Sequence, residues 1–202
     1  MSRQFVLDFD GTLIDTDVYW AWVIDRFVEH GLDAQRVREV GERLFPKAYS
    51  VIQHARDLGL TEVQAQELAM QNRKYVEENH ASLVFPDVVP FLFRVEGRKR
   101  ILTFGHKEHQ TQRVYASGLV PPITDIHIAT VDDSKAAQLA RIIDGSFPMI
   151  FIDDDVHQLA MVHEAGLPIE LVRMRRPGAR NSIIEHDLDH KAWRVIESFE
   201  EL

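Results

Sequence analysis

The chain has 202 residues, a formal net charge of −9, 45% apolar residues and no cysteine. This length suits one domain, or one domain with a sizeable insert. The absence of cysteine excludes disulfides and thiolate metal sites. The acidic charge argues against a nucleic-acid partner, because such proteins normally carry a basic face. Since no apolar stretch approaches 18 residues and no basic, apolar leader opens the chain, we expect a cytoplasmic protein without a membrane partner.

Two basic clusters interrupt this acidic sequence. One consists of Arg173, Arg175, Arg176 and Arg180, and the other is the RKR run at 98–100. Short charge runs are common on protein surfaces, so we predict that both clusters are solvated faces. An anionic substrate would need a local binding site, because the overall field of the protein opposes its approach.

Short β-rich runs alternate with helical stretches along most of the chain. The predicted strands are residues 4–7, 99–103, 125–129, 148–152 and 169–173. Four of them are continuous apolar runs of the kind that is buried on both faces. Together with the helices between them, they favour a parallel sheet built from βαβ units.

The helices between these strands have readable ends. We predict helices at 107–118, 134–145 and 156–166, each ending at a glycine, which is a common stop signal. Ser134 is the expected N-cap of the second helix, and Asp155 is the expected N-cap of the third. After the last predicted strand, the C-terminal tail predicts one more short strand and an amphipathic helix.

A long stretch near the N-terminus contains no convincing strand. It divides into four helical segments, at about 16–30, 33–45, 47–58 and 61–80, with Gly31, Pro46 and Gly59 between them. We therefore predict an α/β core made of residues 1–15 and 84–202, with an all-helical insert at 16–83. The predicted fold class is a Rossmann-like, doubly wound parallel sheet with this insert.

Polar residues follow the predicted strands at the points where the strands end. They are Asp8, Asp10, Thr103, Gly105, Lys135 and Asp153–Asp155. In a doubly wound sheet, ligands bind beyond the carboxyl ends of the strands, so we expect these groups to converge. Clustered carboxylates repel one another unless a cation lies among them. A set of oxygen ligands without cysteine favours a hard ion such as Mg²⁺.

These residue types suit phosphoryl chemistry. The Thr103 hydroxyl and the Gly105 N–H can hold phosphate oxygens, and Lys135 is a compact charge that suits phosphate. One aspartate can attack a phosphorus atom to form an aspartyl-phosphate. A second carboxylate, two residues further on, can protonate the leaving oxygen and later activate water.

The motifs DFDGTL, ILTFG and FIDDD, with Lys135 between the last two, resemble those of the haloacid dehalogenase (HAD) superfamily in content and order. The resemblance covers nearly the whole chain, and it implies that the helical insert is a C1-type cap. It further implies that Asp8 is the nucleophile and a metal ligand. Asp10 would be the general acid/base, with its carbonyl on Mg²⁺, and Lys135 would steady the charges. Asp154 would be a further metal ligand, and Asp153 would bind the metal directly or through water.

The same resemblance assigns substrate contacts. Thr103, Phe104 and Gly105 would hold the phosphoryl group, and Thr12 fits the pattern of the first loop. His106 stands where many members have a small or amide residue, so it is a candidate substrate contact. Two regularly spaced histidine pairs, His106 with His109 and His186 with His190, we interpret as surface residues rather than metal ligands.

The acid at Asp10 favours phosphoryl transfer over dehalogenation, since members that resemble true dehalogenases lack it. We therefore expect a Mg²⁺-dependent phosphatase that hydrolyses a small phosphorylated metabolite and acts as a monomer or homodimer. Two alternatives stay open. One is a phosphomutase of a sugar phosphate, and the other is a catalytically silent binding or regulatory protein with the same fold. The aromatic residues that open the cap are mostly expected in its core, although one of them could face the substrate.

Overall fold

The computed structural model describes residues 3–145, 147–180 and 193–202. Its strands are β1 (Arg3–Leu7), β2 (Gly97–Phe104), β3 (Asp125–Ala129), β4 (Met149–Asp153), β5 (Glu170–Met174) and β6 (Arg194–Ile196). They form one sheet in the order β3-β2-β1-β4-β5-β6, and every neighbouring pair is parallel. The predicted α/β fold with a parallel sheet is therefore confirmed.

Eight α-helices lie in the described residues. They are α1 (Thr16–Glu29), α2 (Ala34–Leu44), α3 (Val51–Asp57), α4 (Glu62–Asn79), α5 (Val88–Arg94), α6 (Lys107–Ala116), α7 (Lys135–Ile142) and α8 (Val156–Glu164). Short 3₁₀ helices cover Phe45–Lys47, His80–Leu83 and Phe199–Glu201. The predicted N-caps are confirmed, because Ser134 accepts from the Ala137 N–H and Asp155 accepts from the His157 N–H. None of these helices is both long enough and apolar enough to cross a lipid bilayer.

The sheet is covered on both faces, as a doubly wound fold requires. On one face Val6 of β1 packs in a cluster with Leu139 of α7 and Leu159 of α8. On the other face Phe5 packs in a cluster with Phe91 of α5. Because β1 lies at the centre of the sheet and is buried on both faces, its C-terminal end delivers Asp8 and Asp10 to the middle of the carboxyl edge.

The helices α1–α4 lie between β1 and β2 and, with the loops between them, make up the segment 16–83, which we call the cap. The two chain segments that lead into and out of the cap run side by side. The Asp15 N–H donates to the Leu83 carbonyl (2.8 Å), and the Phe85 N–H donates to the Leu13 carbonyl (3.0 Å). The assignment of residues 16–83 as a separate domain stays a prediction.

Three arginines of the predicted solvated clusters are buried, so that prediction is wrong for Arg100, Arg173 and Arg176. Arg100 donates to Asp125 on the neighbouring strand, and Arg176 forms an ion pair of 2.7 Å with Asp87. Arg173 lies in β5 in register with Asp153. A buried arginine needs an acidic or polar partner, and the partners of Arg100 and Arg176 come from distant parts of the sequence.

The C-terminal tail forms β6 as expected, but an amphipathic helix does not follow it. The described residues instead form a single 3₁₀ turn, Phe199–Glu201, and a capping box between Ser198 and Glu201 caps the N-terminus of this turn. Phe199 is the one buried residue of this turn. Two predicted surface histidines, His186 and His190, lie outside the described residues.

Candidate active site

A cavity of about 640 Å³ lies between the carboxyl edge of the sheet and the cap. Its core side contains Asp8, Asp10, Thr103, Lys135 and Asp154. The strand ends therefore bring together most of the residues predicted for the site. Aromatic rings of the cap line the opposite side, and the sequence alone did not place them there.

Lys135 joins two strand ends. Its Nζ donates to Asp8 Oδ1 and, at 2.7 Å, to Asp153 Oδ2, and all three side chains are buried. Burial alone would lower the pKa of Lys135, but the charges of Asp153 and Asp8 outweigh it and raise that pKa. Lys135 is therefore a permanent cation between the first and fourth strands.

One lysine does not neutralise the carboxylates around it. Asp8, Asp153 and Asp154 are all buried, and their ligand oxygens lie within 4.8 Å of one another. Burial, reinforced by neighbouring carboxylates, raises the pKa values of Asp8 and Asp153 against the opposing effect of Lys135. When all three are ionised, the carboxylates outnumber the single ammonium and carry a residual negative charge, which is part of the reason why these pKa values are raised. Their hard oxygen donors fit Mg²⁺.

Gly11 shapes the same cluster. It has a φ of +75°, and a Cβ at this position would stand 2.4 Å from Asp154 Oδ2. Only glycine fits both this backbone conformation and this close approach. The first loop is therefore packed directly against the Asp154 carboxylate that completes the candidate metal site.

Asp10 has a different environment from Asp8. Arg113 of α6 binds both its oxygens, with Nη1 3.0 Å from Oδ2 and Nη2 2.5 Å from Oδ1. Gln110 and Thr16 each donate a further hydrogen bond of 2.9 Å. Burial alone would raise the pKa of Asp10, but Arg113 and these hydrogen bonds outweigh it and lower that pKa to about 2. In this arrangement Asp10 is an ionised carboxylate and holds no proton to donate.

Arg113 also connects the core to the cap. Its Nε donates to His80 Nε2 at 3.0 Å, and its guanidinium lies 4.7 Å from the centre of the Tyr19 ring. Tyr19 contacts His109 Nε2 at 3.3 Å through its hydroxyl. Burial and the nearby Arg113 lower the pKa values of His80 and His109 to about 3, so both rings are neutral. The interpretation of His109 as a surface residue is wrong, because it is half-buried and lines the cavity.

Gln110 organises the end of β2. Its Nε2 lies 3.1 Å from Thr103 Oγ1 and 2.7 Å from the Phe104 carbonyl. Thr103 accepts this hydrogen bond, so its own hydroxyl hydrogen remains available to a ligand. The Gly105 N–H, in contrast, donates to the Ala129 carbonyl at 3.0 Å. In this conformation the sheet edge therefore uses this N–H, and the predicted contact between Gly105 and phosphate stays a prediction.

The remaining predicted contacts lie in two different places. Phe104 is half-buried and His106 is exposed, and both line the cavity. Thr12 is fully buried and does not line the cavity. Its carbonyl accepts two hydrogen bonds from Arg176, of 2.9 and 3.2 Å. The position of Thr12 suits support of the first loop from behind, and its role as a substrate contact stays a prediction.

Sequence reasoning missed Gln110 and Arg113. Both lie on α6 three residues apart, so they share one face of the helix. Because α6 begins directly after β2, that face points to the carboxyl edge of the sheet. The available signal in the sequence was the spacing of Gln110 and Arg113, two polar residues on the first helix after β2.

Comparison with solved structures identifies the fold. A haloacid dehalogenase-like hydrolase from Burkholderia xenovorans superposes with a TM-score of 0.78 at 19% identity, covering 99% of this chain and 94% of that one. The HAD-hydrolase YfnB from Bacillus subtilis, bound to magnesium, gives 0.68 at 17% identity, covering 99% and 96%. A 2-haloacid dehalogenase from Pseudomonas syringae gives 0.65 at 18% identity, covering 100% and 96%.

No family model and no curated protein sequence matches the chain. Identities below 20% carry information about the fold and leave the reaction open. The match spans nearly the full length of each structure and includes both the sheet and the helical cap. The chain therefore has the fold of the haloacid dehalogenase-like hydrolases.

Proposed function

We propose that the chain is a Mg²⁺-dependent phosphatase that hydrolyses a small phosphate monoester through an aspartyl-phosphate. The observation that carries this proposal is the buried cluster of Asp8, Asp153 and Asp154 around Lys135, on the floor of the cavity. A dianionic phosphate could not enter a site with this residual negative charge unless a cation entered as well. A divalent metal is therefore an integral part of the proposed site.

The residues of the chain have separate roles in this proposal. Asp8 attacks phosphorus through a carboxylate oxygen, the bond between phosphorus and the leaving oxygen breaks, and the general acid protonates that oxygen to give the alcohol. Water then attacks phosphorus in the aspartyl-phosphate and loses a proton to the same group, which releases inorganic phosphate and free Asp8. Lys135 holds Asp8 in place and balances the charge that develops on the phosphoryl oxygens. The hydroxyl of Thr103 donates to a phosphoryl oxygen. Asp8, Asp153 and Asp154, with the Asp10 carbonyl, would hold Mg²⁺, which supplies positive charge beside the phosphoryl group when it is bound.

Asp10 needs a second position to act as the general acid/base. A carboxylate that Arg113 holds at a pKa of about 2 is a poor proton donor and a weak base at neutral pH. The acid role therefore requires the Asp10 side chain to leave Arg113. Since Arg113 contacts His80 and Tyr19 of the cap, movement of the cap would alter the contacts that hold it. The matched YfnB structure is described as revealing interdomain movement.

Dehalogenation is a second candidate, because the state of Asp10 favours it. A halide leaves without a proton, so a permanently ionised Asp10 would not hinder that reaction. One of the matched structures is a 2-haloacid dehalogenase. Displacement of a halide by Asp8 needs no metal, however, and the surplus of buried carboxylates beside Asp8 then has no use. The phosphatase accounts for more of the site.

A paired assay separates the candidates. The protein is incubated with p-nitrophenyl phosphate and with 2-chloropropionate, each with Mg²⁺ and with EDTA. The phosphatase proposal expects phosphate release that EDTA abolishes and no chloride release. Chloride release that persists in EDTA would establish the dehalogenase instead. Asp25→Asn, an exposed position on α1, serves as a control for Asp8→Asn, and only the latter should abolish turnover.

Two further outcomes address the remaining alternatives. A phosphomutase would convert a sugar phosphate into its isomer and release little free phosphate, which chromatography of the products detects. A silent binding protein would turn over no ester in a broad panel of phosphorylated metabolites. The intact set of Asp8, Asp10 and Lys135 makes turnover the expected result.

A further inference from the structure

The cap side of the cavity is a continuous aromatic surface, which we call the aromatic wall and define as Trp20, Phe45 and Tyr49. The ring centroids lie 4.9 Å apart for Trp20–Phe45, 5.5 Å for Trp20–Tyr49 and 5.7 Å for Phe45–Tyr49. The angles between the ring planes range from 59° to 88°. Two pairs are edge-to-face and the third is tilted, arrangements that aromatic pairs prefer over a face-to-face sandwich. All three rings line the cavity, with Phe45 and Tyr49 half-buried and Trp20 buried.

A buried histidine supports the wall from behind. His54 is fully buried, and it lies 2.9 Å from the Tyr49 hydroxyl through Nδ1 and 2.9 Å from the Val37 carbonyl through Nε2. Its ring also stacks on Trp20 at 5.9 Å and 22°. Burial lowers the pKa of His54 to about 4, so this support is neutral. The positions of Trp20 and Tyr49 are therefore fixed before any ligand arrives.

Two backbone positions beside the wall, Gly41 and Ala48, also have unusual geometry. A Cβ at Gly41 would stand 2.3 Å from Trp20 Cη2, so glycine is what allows α2 to approach the indole. Ala48 has a φ of 63°, a left-handed conformation that costs energy in a residue with a Cβ. It directly precedes Tyr49. Strained backbone of this kind is concentrated at ligand sites, where the surrounding structure holds it in place.

An ion pair lies at the rim of the wall. The Arg180 guanidinium lies 5.4 Å from the centre of the Phe45 ring, and its Nη1 lies 3.6 Å from a Glu42 carboxylate oxygen. Glu42 balances this charge, so among the described residues Arg180 is not an uncompensated cation that would select a second anionic group. What the wall offers a ligand is ring surface.

The size of the cavity leaves room for a sizeable leaving group. A volume of about 640 Å³ lies within the range of pockets that enclose small organic molecules. A phosphoryl group beside Asp8 and Lys135 would fill only a small part of it. The remaining space extends to the aromatic wall, where a ligand would meet three rings.

We infer that the aromatic wall selects phosphate monoesters whose leaving group carries a flat aromatic ring, which packs against Trp20, Phe45 and Tyr49. This inference rests on the proposed function, because the phosphoryl group must bind beside Asp8 for the ring to reach the wall. Hydrolysis of such a substrate releases the ring-bearing alcohol and inorganic phosphate.

The test compares three esters of primary alcohols, namely benzyl, cyclohexylmethyl and propyl phosphate. The first two carry rings of similar size and differ in flatness and aromaticity, and the third has no ring. We expect kcat/KM for benzyl phosphate to exceed that for the cyclohexylmethyl ester by about tenfold, which is the scale of favourable contacts with two or three rings. The preference over propyl phosphate should be larger.

Variants locate the source of this preference. In Phe45→Leu and Tyr49→Leu, the benzyl to cyclohexylmethyl ratio should fall towards one, because an apolar side chain without a ring replaces each aromatic residue. Tyr49→Phe keeps the ring and should keep the ratio. Phe93→Leu makes the same substitution on α5 at a side chain that is 75% exposed and outside the cavity, so it should keep both the ratio and the activity.

A binding measurement separates this inference from the proposed function. Benzylphosphonate and cyclohexylmethylphosphonate are titrated into the wild-type protein and the Phe45→Leu variant by calorimetry. If all three esters are hydrolysed equally well, the aromatic site is wrong and the phosphatase stands. Suppose instead that no ester is hydrolysed, but the wild type binds benzylphosphonate about tenfold more tightly than cyclohexylmethylphosphonate and Phe45→Leu shows no such preference. The aromatic site then stands and the phosphatase is wrong. Equal binding of both phosphonates without turnover would overturn both.

Discussion

Asp8 and Asp10 are separated by one residue at the end of β1, yet their surroundings act in opposite directions. Asp8 lies among other buried carboxylates, and its pKa is raised. Asp10 forms a bidentate ion pair with Arg113, and its pKa is lowered to about 2 against the effect of burial. Both acids have a cation beside them, since α7 supplies Lys135 to Asp8 and α6 supplies Arg113 to Asp10. Burial and the neighbouring carboxylates outweigh Lys135 at Asp8, whereas Arg113 and the hydrogen bonds outweigh burial at Asp10.

The largest expected effect comes from removing the cation beside Asp8. Lys135→Met leaves buried Asp8 and Asp153 without their ammonium partner, so the free energy of unfolding in EDTA at pH 7 should fall by about 3–5 kcal/mol. Phosphate release should fall as well, by at least about 10²-fold, because Asp8 loses the group that holds it. Urea unfolding and a phosphate assay measure the two effects. Lys74→Met, at an exposed position, should change neither.

Removing the cation beside Asp10 tests the other half of the comparison. Arg113→Met leaves a largely buried carboxylate without its bidentate partner, which should cost about 3 kcal/mol of unfolding free energy. In the double variant that also carries Asp10→Asn, part of that loss should be recovered, because no unpaired charge is left. A double-mutant cycle by urea unfolding measures the coupling between the two residues. Strictly additive single effects would show that the ion pair contributes nothing.

The two aspartates should also give opposite dependences of stability on pH. The folded-state pKa of Asp10 is lowered from 3.8 to about 2, so its contribution of about 2 kcal/mol is present above pH 4 and is lost as the pH falls towards 2. The folded-state pKa of Asp8 is raised, so its favourable contribution is present below pH 3.8 and is lost as the pH rises.

In EDTA at pH 7, Asp8→Asn should therefore be more stable than the wild type, and Asp10→Asn should be less stable. Urea unfolding between pH 2.5 and pH 7 measures both differences. A shift of the same sign for both variants would contradict the opposite environments of the two acids.

A smaller effect is expected at Gly11, in the loop that packs on the carboxylates of the candidate metal site. Gly11→Ala should weaken Mg²⁺ binding by about tenfold, because its Cβ would displace the Asp154 carboxylate that stands 2.4 Å away. Gly31→Ala is the matched control. Gly31 has a similar φ of +81°, but no atom lies within 4 Å of the added Cβ, so backbone strain is its only consequence. Calorimetric titration with Mg²⁺ should find normal affinity in Gly31→Ala.

The sequence predicted the Asp8 side of this comparison better than the Asp10 side. The strands were visible as apolar runs, and parallel topology obliges their carboxyl ends to meet, so Asp8, Asp153 and Asp154 could be placed together. Lys135 was placed by its position at a helix start. These residues follow from topology alone, which apolar patterning specifies.

Arg113 could not be placed in the same way. Its role depends on the rotation of α6 about its axis and on the approach of the cap, and neither is encoded in a short motif. The buried arginines Arg100, Arg173 and Arg176 were misread for a related reason, since a charged residue is buried only when a distant partner meets it. The hydrogen bond of the Gly105 N–H could not be predicted either, because its acceptor, the Ala129 carbonyl, lies on another strand.

The central claim is that Asp8 carries the phosphoryl group during turnover, and trapping the intermediate tests it most directly. The protein is mixed with Mg²⁺ and p-nitrophenyl phosphate and quenched with borohydride, which reduces an acyl phosphate to an alcohol and would convert a phosphorylated aspartate to homoserine. Peptide mass spectrometry then locates the modified residue. We expect homoserine at position 8, and none in samples that lack substrate. Phosphate release without homoserine at position 8, or with homoserine at position 10, would contradict the assignment of Asp8 as the nucleophile.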